Sequence, residues 1–219
     1  MPTILLLRHA QASFGTADYD VLSKTGHRQA QVAHAALRGR GLSPDRLVTG
    51  SLRRQLDTIA PWGEADVDPR WNEYDAGDIL TAHSDSPLRM EHSDDGPPAD
   101  SRAFQTALDD AMHAWITAGA DGGADEPYPA FRGRVEAALR ELADSLGSGQ
   151  TAVACTSGGV IAAACVVLLG LPDTALPAFN RVMVNTSVTK VVHGRRGSSL
   201  VTFNEHGHLE GDRSLLTYR

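Results

Sequence analysis

The fold is decided near the N-terminus by the stretch ILLLRHAQAS, residues 4–13. Its first four residues are all apolar, a pattern that is typical of a central strand covered on both faces. Arg8 and His9 follow directly. Because ligands of parallel α/β sheets bind beyond the carboxyl ends of the strands, we expect this pair to lie at a functional site.

Strands and helices alternate on either side of an interruption. The predicted strands are residues 4–7, 47–49, 151–156, 187–193 and 200–204, the last two separated by the turn GRRGSS. The predicted helices are residues 26–40, 52–61 and 158–169. This alternation predicts an α/β fold, a three-layer sandwich whose mostly parallel central sheet has helices on both faces.

The interruption is an excursion at about residues 78–130. Segments 84–101 and 119–129 are rich in Pro, Gly and Asp and are predicted to be surface loops. Between and after them, apolar residues recur every three or four positions and predict two amphipathic helices: Phe104, Leu108, Ala111, Met112, Trp115 and Ile116, then Phe131, Val135, Ala138, Leu139 and Leu142. We interpret residues 1–219 as a single domain in which the excursion forms the roof of the ligand pocket.

Composition excludes several classes of protein. The chain has 20 basic and 27 acidic residues and a net charge of −7, which argues against a general nucleic-acid surface. Its longest apolar run, residues 160–171, is too short for a membrane span and predicts a buried helix. The N-terminus lacks the pattern of a signal peptide, and Cys155 and Cys165 lie in apolar stretches, so we expect a reduced, cytoplasmic protein.

A histidine beside an arginine at a strand end suits phosphoryl transfer. The guanidinium group neutralises phosphate oxygens while a neutral imidazole attacks phosphorus. Ser51 to Thr58 follow the second predicted strand and supply two further arginines, Arg53 and Arg54. Each feature alone is weak, because isolated histidines at turns and arginines on helices are usually solvated surface groups.

Four segments in order carry a stronger signal: LLLRHAQAS at 5–13, LSKTGHRQA at 22–30, SLRRQLDT at 51–58 and WNEYDAG at 71–77. Together they resemble the histidine phosphatase superfamily, also called phosphoglycerate-mutase-like, over essentially the whole chain. The family's first motif is a strand followed by RHG, and Ala10 replaces its glycine here. Its SxLxRAxQTA segment aligns on Thr58, which makes Arg54 rather than Arg53 the phosphate-binding arginine.

The resemblance implies a mechanism without metal or cofactor. His9 would take the phosphoryl group as a phosphohistidine, and Glu73, from the family's LxExxxG segment, would protonate the leaving oxygen. Arg8 and Arg54 would stabilise the equatorial oxygens by charge, before water hydrolyses the intermediate. Gln11 and Ser13 are expected to contribute to substrate binding.

The pattern breaks at the family's last motif, a strand followed by SHGG. This chain has Thr156-Ser157-Gly158-Gly159, so Ser157 stands where a second histidine is expected. A hydroxyl group carries no charge, and loss of a charged donor can cost about 2.7–4 kcal/mol of transition-state stabilisation. Ser157 and Gly158 are still expected to bind phosphate. His206 or His208 could supply the lost charge or be ordinary surface groups; if neither enters the pocket, Ser157→His is expected to raise activity.

Several functions therefore stay open. We favour a phosphomonoesterase that acts on a small phosphorylated substrate. The alternatives are a catalytically weak or inactive phospho-ligand-binding relative, a phosphoglycerate mutase, and a serine hydrolase at Ser157, whose G-x-S-x-G elbow would require glycine where Cys155 stands. A metal bound by His206 and His208 would lack a third ligand. The expected partners are the substrate and a second copy of the chain as a homodimer, not nucleic acid or a membrane.

Overall fold

The central sheet has six strands in the part of the chain that the structure, a computed structural model, describes: residues 1–13, 20–83 and 101–218, with the backbone alone for 101–105. The strands are β1 (Thr3–Arg8), β2 (Arg46–Thr49), β3 (Asp66–Val67), β4 (Thr151–Thr156), β5 (Val188–Gly194) and β6 (Gly197–Glu205). Their order across the sheet is β3-β2-β4-β1-β5-β6. Strands β1 to β4 run parallel to one another, whereas β5 runs antiparallel to both of its neighbours, β1 and β6.

Strand β1 is central because its side chains are apolar on both faces. Ile4 and Leu6 pack into the larger core cluster, whereas Leu5 and Leu7 pack into a second cluster with Leu37. A strand with one polar face could not occupy this place, since each face is covered by helices.

Seven α-helices lie in the described ranges: α1 (Lys24–Gly39), α2 (Arg53–Ile59), α3 (Ala76–His83), α4 (Ser101–Ala118), α5 (Tyr128–Asp144), α6 (Gly158–Leu169) and α7 (Leu176–Arg181). Leu37 of α1 and Ile59 of α2 pack against one face of the sheet. Val135 of α5 and Ile161 of α6 belong to the cluster on the other face. The predicted three-layer α/β sandwich with a mostly parallel sheet is confirmed.

Most predicted helices and strands match the observed ones within a few residues. Helix α1 begins two residues earlier than predicted, because the hydroxyl oxygen of Ser23 caps it by accepting from the Gly26 amide at 2.9 Å. Helices α3 and α7 and strand β3 were not predicted, since segments of eight residues or fewer give little periodicity. Both cysteines are free and buried.

The predicted loops of the excursion are partly wrong. Residues 84–100 lie outside the described residues, and Ser101 begins α4 rather than ending a loop. In the segment 119–129, Gly119–Asp121 forms a turn of 3-10 helix and α5 begins at Tyr128. Pro129 therefore lies in the first turn of α5, where the amide hydrogen that proline lacks would have no partner within the helix.

The excursion packs on the main core through aromatic rings. The ring centroid of Trp115, within the excursion, lies 5.5 Å from that of Tyr74 and 5.4 Å from that of Phe131. These contacts fix Tyr74, which is adjacent in the chain to Glu73. The single-domain interpretation and the pocket roof stay predictions. No helix among the described residues is long and apolar enough to cross a membrane.

Gln29 on α1 connects three segments from inside the protein. It is fully buried, and its amide oxygen accepts from the Gln11 amide at 2.8 Å. Its amide nitrogen donates to the carbonyl oxygen of Leu215 at 2.8 Å and to the hydroxyl oxygen of Thr217 at 2.7 Å. The segment after β1 and the chain near residue 215 are thus held by one side chain.

We expect Gln29→Ala to destabilise the protein, because it leaves the Gln11 amide and the Leu215 carbonyl without their partner in a dry interior. Such a loss costs about 1–3 kcal/mol, which lowers Tm by roughly 2–4 °C for each kcal/mol in a chain of this size. Thermal unfolding followed by circular dichroism measures the change. Gln31→Ala, at an exposed position of the same helix, is the matched control and should leave Tm unchanged. Equal Tm values for the two variants would contradict this role for Gln29.

Candidate active site

The predicted site residues meet at the carboxyl ends of the parallel strands. Arg8, the last residue of β1, pairs with Thr156, the last residue of β4. The His9 amide donates to the carbonyl oxygen of Thr156 at 2.8 Å. His9 and Ser157 therefore leave neighbouring strands at the same edge of the sheet, and Arg54 enters from α2, which follows the adjacent strand β2.

The hydrogen bonds of His9 define its tautomer. Nδ1 lies 2.7 Å from the carbonyl oxygen of Ala10, which can only accept, so Nδ1 carries the proton. Nε2 is then unprotonated, and its lone pair accepts a hydrogen bond from Nε of Arg54 at 3.3 Å. The ring is neutral in this arrangement, and Nε2 is the atom with nucleophilic character.

The surroundings of His9 favour this neutral form. Burial, followed by the positive charges of Arg54 and Arg8, holds the pKa of His9 well below its ordinary value of 6.5. The imidazole is therefore unprotonated near neutral pH, as a nucleophile must be.

Two buried guanidinium groups flank the imidazole. Arg8 donates to the carbonyl oxygens of Met183 and Tyr218, the latter at 3.0 Å. Arg54 donates to Oδ1 of Asp20 at 2.5 Å, and its side chain is only 10% exposed. Arg53 is 63% exposed and points to Asp57, so the geometry favours Arg54 as the phosphate-binding arginine of this pair.

Glu73 lies at the N-terminal end of α6. Its Oε2 accepts from the Gly159 amide at 2.9 Å, and its Oε1 lies 3.3 Å from the amide of Tyr74. Loss of water around the carboxyl group raises its pKa above the ordinary 4.5, although the amide hydrogen bonds and the two arginines oppose the shift. A Cβ on residue 159 would lie 2.4 Å from Oε1 of Glu73, so this approach requires glycine.

Ser157 is buried immediately before α6. Its hydroxyl oxygen accepts a hydrogen bond from Nε2 of Gln55 at 2.8 Å. Gly158 follows, and a Cβ there would lie 2.5 Å from Oδ1 of Asn180 and 3.5 Å from Nε of Arg8. The structure thus brings Ser157 and Gly158 to the same edge as His9.

Gln11 and Ser13 lie on the segment after β1. Oε1 of Gln11 accepts from the hydroxyl group of Ser23 at 2.8 Å. The Ser13 amide donates to the carbonyl oxygen of Val21 at 2.8 Å. The roles of both residues in substrate binding stay predictions.

The hydrogen bonds of the two C-terminal histidines are made to Asn204 and Thr186. Nδ1 of His206 lies 2.6 Å from the carbonyl oxygen of Asn204, and Nε2 of His208 lies 3.3 Å from the hydroxyl oxygen of Thr186. Among the described residues, neither ring is hydrogen-bonded to His9, Glu73 or Ser157, so the geometry gives no support to the predicted phosphate contact of His206. No group of three His, Cys, Asp or Glu side chains in those ranges is arranged to bind a metal.

Sequence reasoning missed several groups that hold the site together. Asp20 pairs with Arg54, and the side-chain amide of Asn185 donates to the carbonyl oxygen of His9 at 3.1 Å. Thr58 accepts from the Ala10 amide at 2.9 Å and donates to the carbonyl oxygen of Arg54 at 2.6 Å. Thr58 belongs to a recognisable motif, whereas Asp20 and Asn185 carry no local signal because they reach the site only through the fold.

Two solved structures illustrate the similarity of this architecture to known proteins. Phosphoserine phosphatase from Entamoeba histolytica, in complex with 3-phosphoglyceric acid, is 20% identical with a TM-score of 0.69, covering 95% of this chain and 100% of that one. Mycobacterial glucosyl-3-phosphoglycerate phosphatase, in complex with inorganic phosphate, is 26% identical with a TM-score of 0.64, covering 94% and 98%.

Sequence comparison agrees with the fold. No curated protein sequence matches the chain significantly. The family model described as histidine phosphatase superfamily (branch 1) matches residues 4–206. Because this match spans nearly the whole chain, the protein belongs to the histidine phosphatase superfamily.

Proposed function

We propose that the protein is a metal-independent phosphomonoesterase that forms a phosphohistidine at His9. The observation that carries this proposal is the neutral imidazole of His9, whose Nε2 lone pair lies 3.3 Å from Nε of Arg54. A nucleophilic nitrogen beside a fixed positive charge is the arrangement that attack on a phosphoryl group needs.

The first step transfers the phosphoryl group to the protein. Nε2 of His9 attacks phosphorus, and the bond from phosphorus to the leaving oxygen breaks. Glu73 gives its proton to that oxygen, so an alcohol departs rather than an alkoxide. The raised pKa of Glu73 favours the protonated form that this step requires.

The second step returns the protein to its starting state. The Glu73 carboxylate accepts a proton from water as the water oxygen attacks phosphorus, and the bond from phosphorus to Nε2 breaks. Inorganic phosphate leaves, while His9 regains its neutral ring and Glu73 its proton. Arg8 and Arg54 supply positive charge to the phosphoryl oxygens in both steps, so no metal ion is needed for charge neutralisation.

A non-catalytic binding protein is the second candidate, and Ser157 is the observation that favours it. The serine hydroxyl stabilises a phosphoryl group less than a charged imidazole would. Retention of His9 and Glu73 in one site favours the enzyme, because ligand binding alone has no use for a proton donor.

The substrate is proposed to be a small phosphomonoester. The solved structures named above suggest O-phosphoserine, 3-phosphoglycerate and glucosyl-3-phosphoglycerate for a first panel, with p-nitrophenyl phosphate as a general probe. Within the excursion, Arg89 and the side chain of Arg102 lie outside the described residues. The cytoplasmic location and the homodimer stay predictions.

We expect His9→Ala to abolish turnover, because no other group takes the place of Nε2. Phosphate release from the panel, measured in EDTA to suppress contaminating metal-dependent phosphatases, should fall to the blank. His27→Ala, at an exposed position of α1, is the matched control and should retain full activity. With labelled substrate, rapid quenching should give an acid-labile, base-stable label on the wild-type protein. An acid-stable label on Ser157 would overturn the assignment.

We expect Glu73→Gln to reduce hydrolysis of an alkyl phosphate far more than hydrolysis of p-nitrophenyl phosphate. The alkoxide needs a proton in order to leave, whereas p-nitrophenolate leaves unaided, and general acid catalysis contributes typically 10²–10⁴-fold. The measurement is kcat/KM for both substrates, with Glu64→Gln at an exposed turn as the matched control. Equal losses on the two substrates would rule out a proton-donating role.

The opposed pKa shifts predict the pH profile. The active form needs neutral His9 and protonated Glu73, so the acidic limb of kcat/KM should lie below pH 6.5, the ordinary value of histidine. The alkaline limb should lie above pH 4.5, the ordinary value of glutamate. In Glu73→Gln the alkaline limb should disappear on p-nitrophenyl phosphate while the acidic limb stays. An alkaline limb that survives this substitution would assign the titration to another group.

A further inference from the structure

Three of the positions where this chain departs from the family pattern lie beside one another in the structure. The family segment SxLxRAxQTA, aligned on Thr58, has alanine where this chain has Gln55 and serine where it has Gly50. Gln55 is fully buried and donates to Ser157, which replaces the family's second histidine. Gly50 and Gln55, from one segment, and the distant Ser157 thus form one cluster.

The direction of the hydrogen bond between Gln55 and Ser157 is fixed by a third group. Nε2 of Gln55 also donates to the carbonyl oxygen of Trp71 at 3.0 Å. That carbonyl can only accept, so the NH₂ end of the amide must face it and must also face Ser157. The oxygen of Ser157 is therefore an acceptor in this bond.

This direction decides where the Ser157 proton goes. A hydroxyl group has one proton and two lone pairs, so Ser157 stays free to donate once while it accepts from Gln55. Among the described residues, none accepts a hydrogen bond from the Ser157 hydroxyl group. Thr156 and Arg8 are paired across neighbouring strands, and Ser157 and His9 are the residues that follow them. The Ser157 hydroxyl therefore lies at the sheet edge where the phosphoryl group would be transferred to His9.

Gly50 makes room for this arrangement. A Cβ at residue 50 would lie 2.0 Å from Oε1 of Gln55 and 2.4 Å from Oδ1 of Asn72. A serine there would push the Gln55 amide out of its place. The observed position of the Gln55 amide therefore requires glycine at residue 50.

We propose that Gln55 is a positioning residue, whose amide donates to the Ser157 oxygen and so directs the Ser157 hydroxyl proton to the phosphoryl group at His9. The proposal rests on the proposed phosphoryl-transfer function. Gln55 donates its two amide hydrogens to Trp71 and Ser157, so it acts through Ser157 and does not itself contact the substrate.

If Gln55 holds Ser157 in this way, Ser157→His is no longer expected to raise activity by itself. A larger side chain at residue 157 meets the Gln55 amide, which lies 2.8 Å from the serine oxygen. Ser157→His alone should therefore fail to raise kcat. The paired change Ser157→His with Gln55→Ala removes the obstruction and should exceed Ser157→His alone.

A double-mutant cycle tests whether Gln55 acts through Ser157. The variants are Gln55→Met, which keeps the size but donates nothing, Ser157→Ala, and the two combined. Each single change should lower kcat on p-nitrophenyl phosphate about 3- to 10-fold, the effect of one neutral hydrogen bond. The double variant should be no slower than Ser157→Ala. Gln31→Met at an exposed position is the matched control, and Tm is measured for every variant.

The outcomes separate this proposal from the proposed function. Losses that multiply in the double variant, or a single Ser157→His that already raises kcat, overturn the role of Gln55 while phosphatase activity stands. If the wild-type protein releases no phosphate, the same cycle is measured on the Kd for orthovanadate. Non-additive losses there support the Gln55 role although hydrolysis has failed, and additive losses or no vanadate binding by the wild-type protein overturn it.

Discussion

The hydrogen bond from Nδ1 of His9 to the carbonyl oxygen of Ala10, at 2.7 Å, is the interaction on which the rest of the site depends. It fixes the ring plane and leaves Nε2 unprotonated toward Arg54. A carbonyl can hold this tautomer without bringing a negative charge to the ring, whereas a carboxylate would favour the imidazolium form. The direction of the chain just after β1 therefore determines both the position and the tautomer of His9, the proposed nucleophile.

Two buried positive charges are tolerated here because distant segments satisfy them. Arg8 is bound by carbonyl oxygens from residues 183 and 218, and Arg54 by the Asp20 carboxylate. Carbonyl groups satisfy the hydrogen-bond donors of a guanidinium without bringing a negative charge to it. Asp20 partly offsets the charge of Arg54, so a phosphoryl group bound by Arg54, as proposed, would compete with Asp20 for the same donors. The same dry environment lowers the pKa of His9 and raises that of Glu73, and both shifts favour the reactive forms.

The sequence predicted those strands and helices whose residues form a recognisable pattern within a single segment. A fully apolar run predicted β1, and the apolar stretch 158–169 predicted α6 to the residue. The choice of Arg54 over Arg53 came instead from the resemblance to the family segment aligned on Thr58. The helix boundaries in the excursion were harder to predict, because Pro, Gly and Asp are frequent both in loops and at helix starts. Asp20, Asn185 and Gln55 could not be found, since each reaches the site through tertiary contacts between segments that show no common pattern. His206 and His208 are the opposite case, because they form a local H-x-H pattern in the sequence but are hydrogen-bonded to Asn204 and Thr186.

Ser157 is proposed to stand where the resembling family has a second histidine, and Gly50 and Gln55 pack beside it in a way that suits a serine. A smaller side chain in a buried site opens space, and unfilled space costs stability in proportion to its volume. A hydroxyl group without a fixed partner would also rotate between acceptors, and its proton would have no defined direction. Gln55 fills the neighbouring volume and gives the Ser157 oxygen a donor, while its own amide is held by Trp71 and given room by Gly50. The departure at Ser157 is therefore not an isolated loss, because the surrounding residues have the sizes and hydrogen-bonding directions that a serine requires and a histidine would disturb.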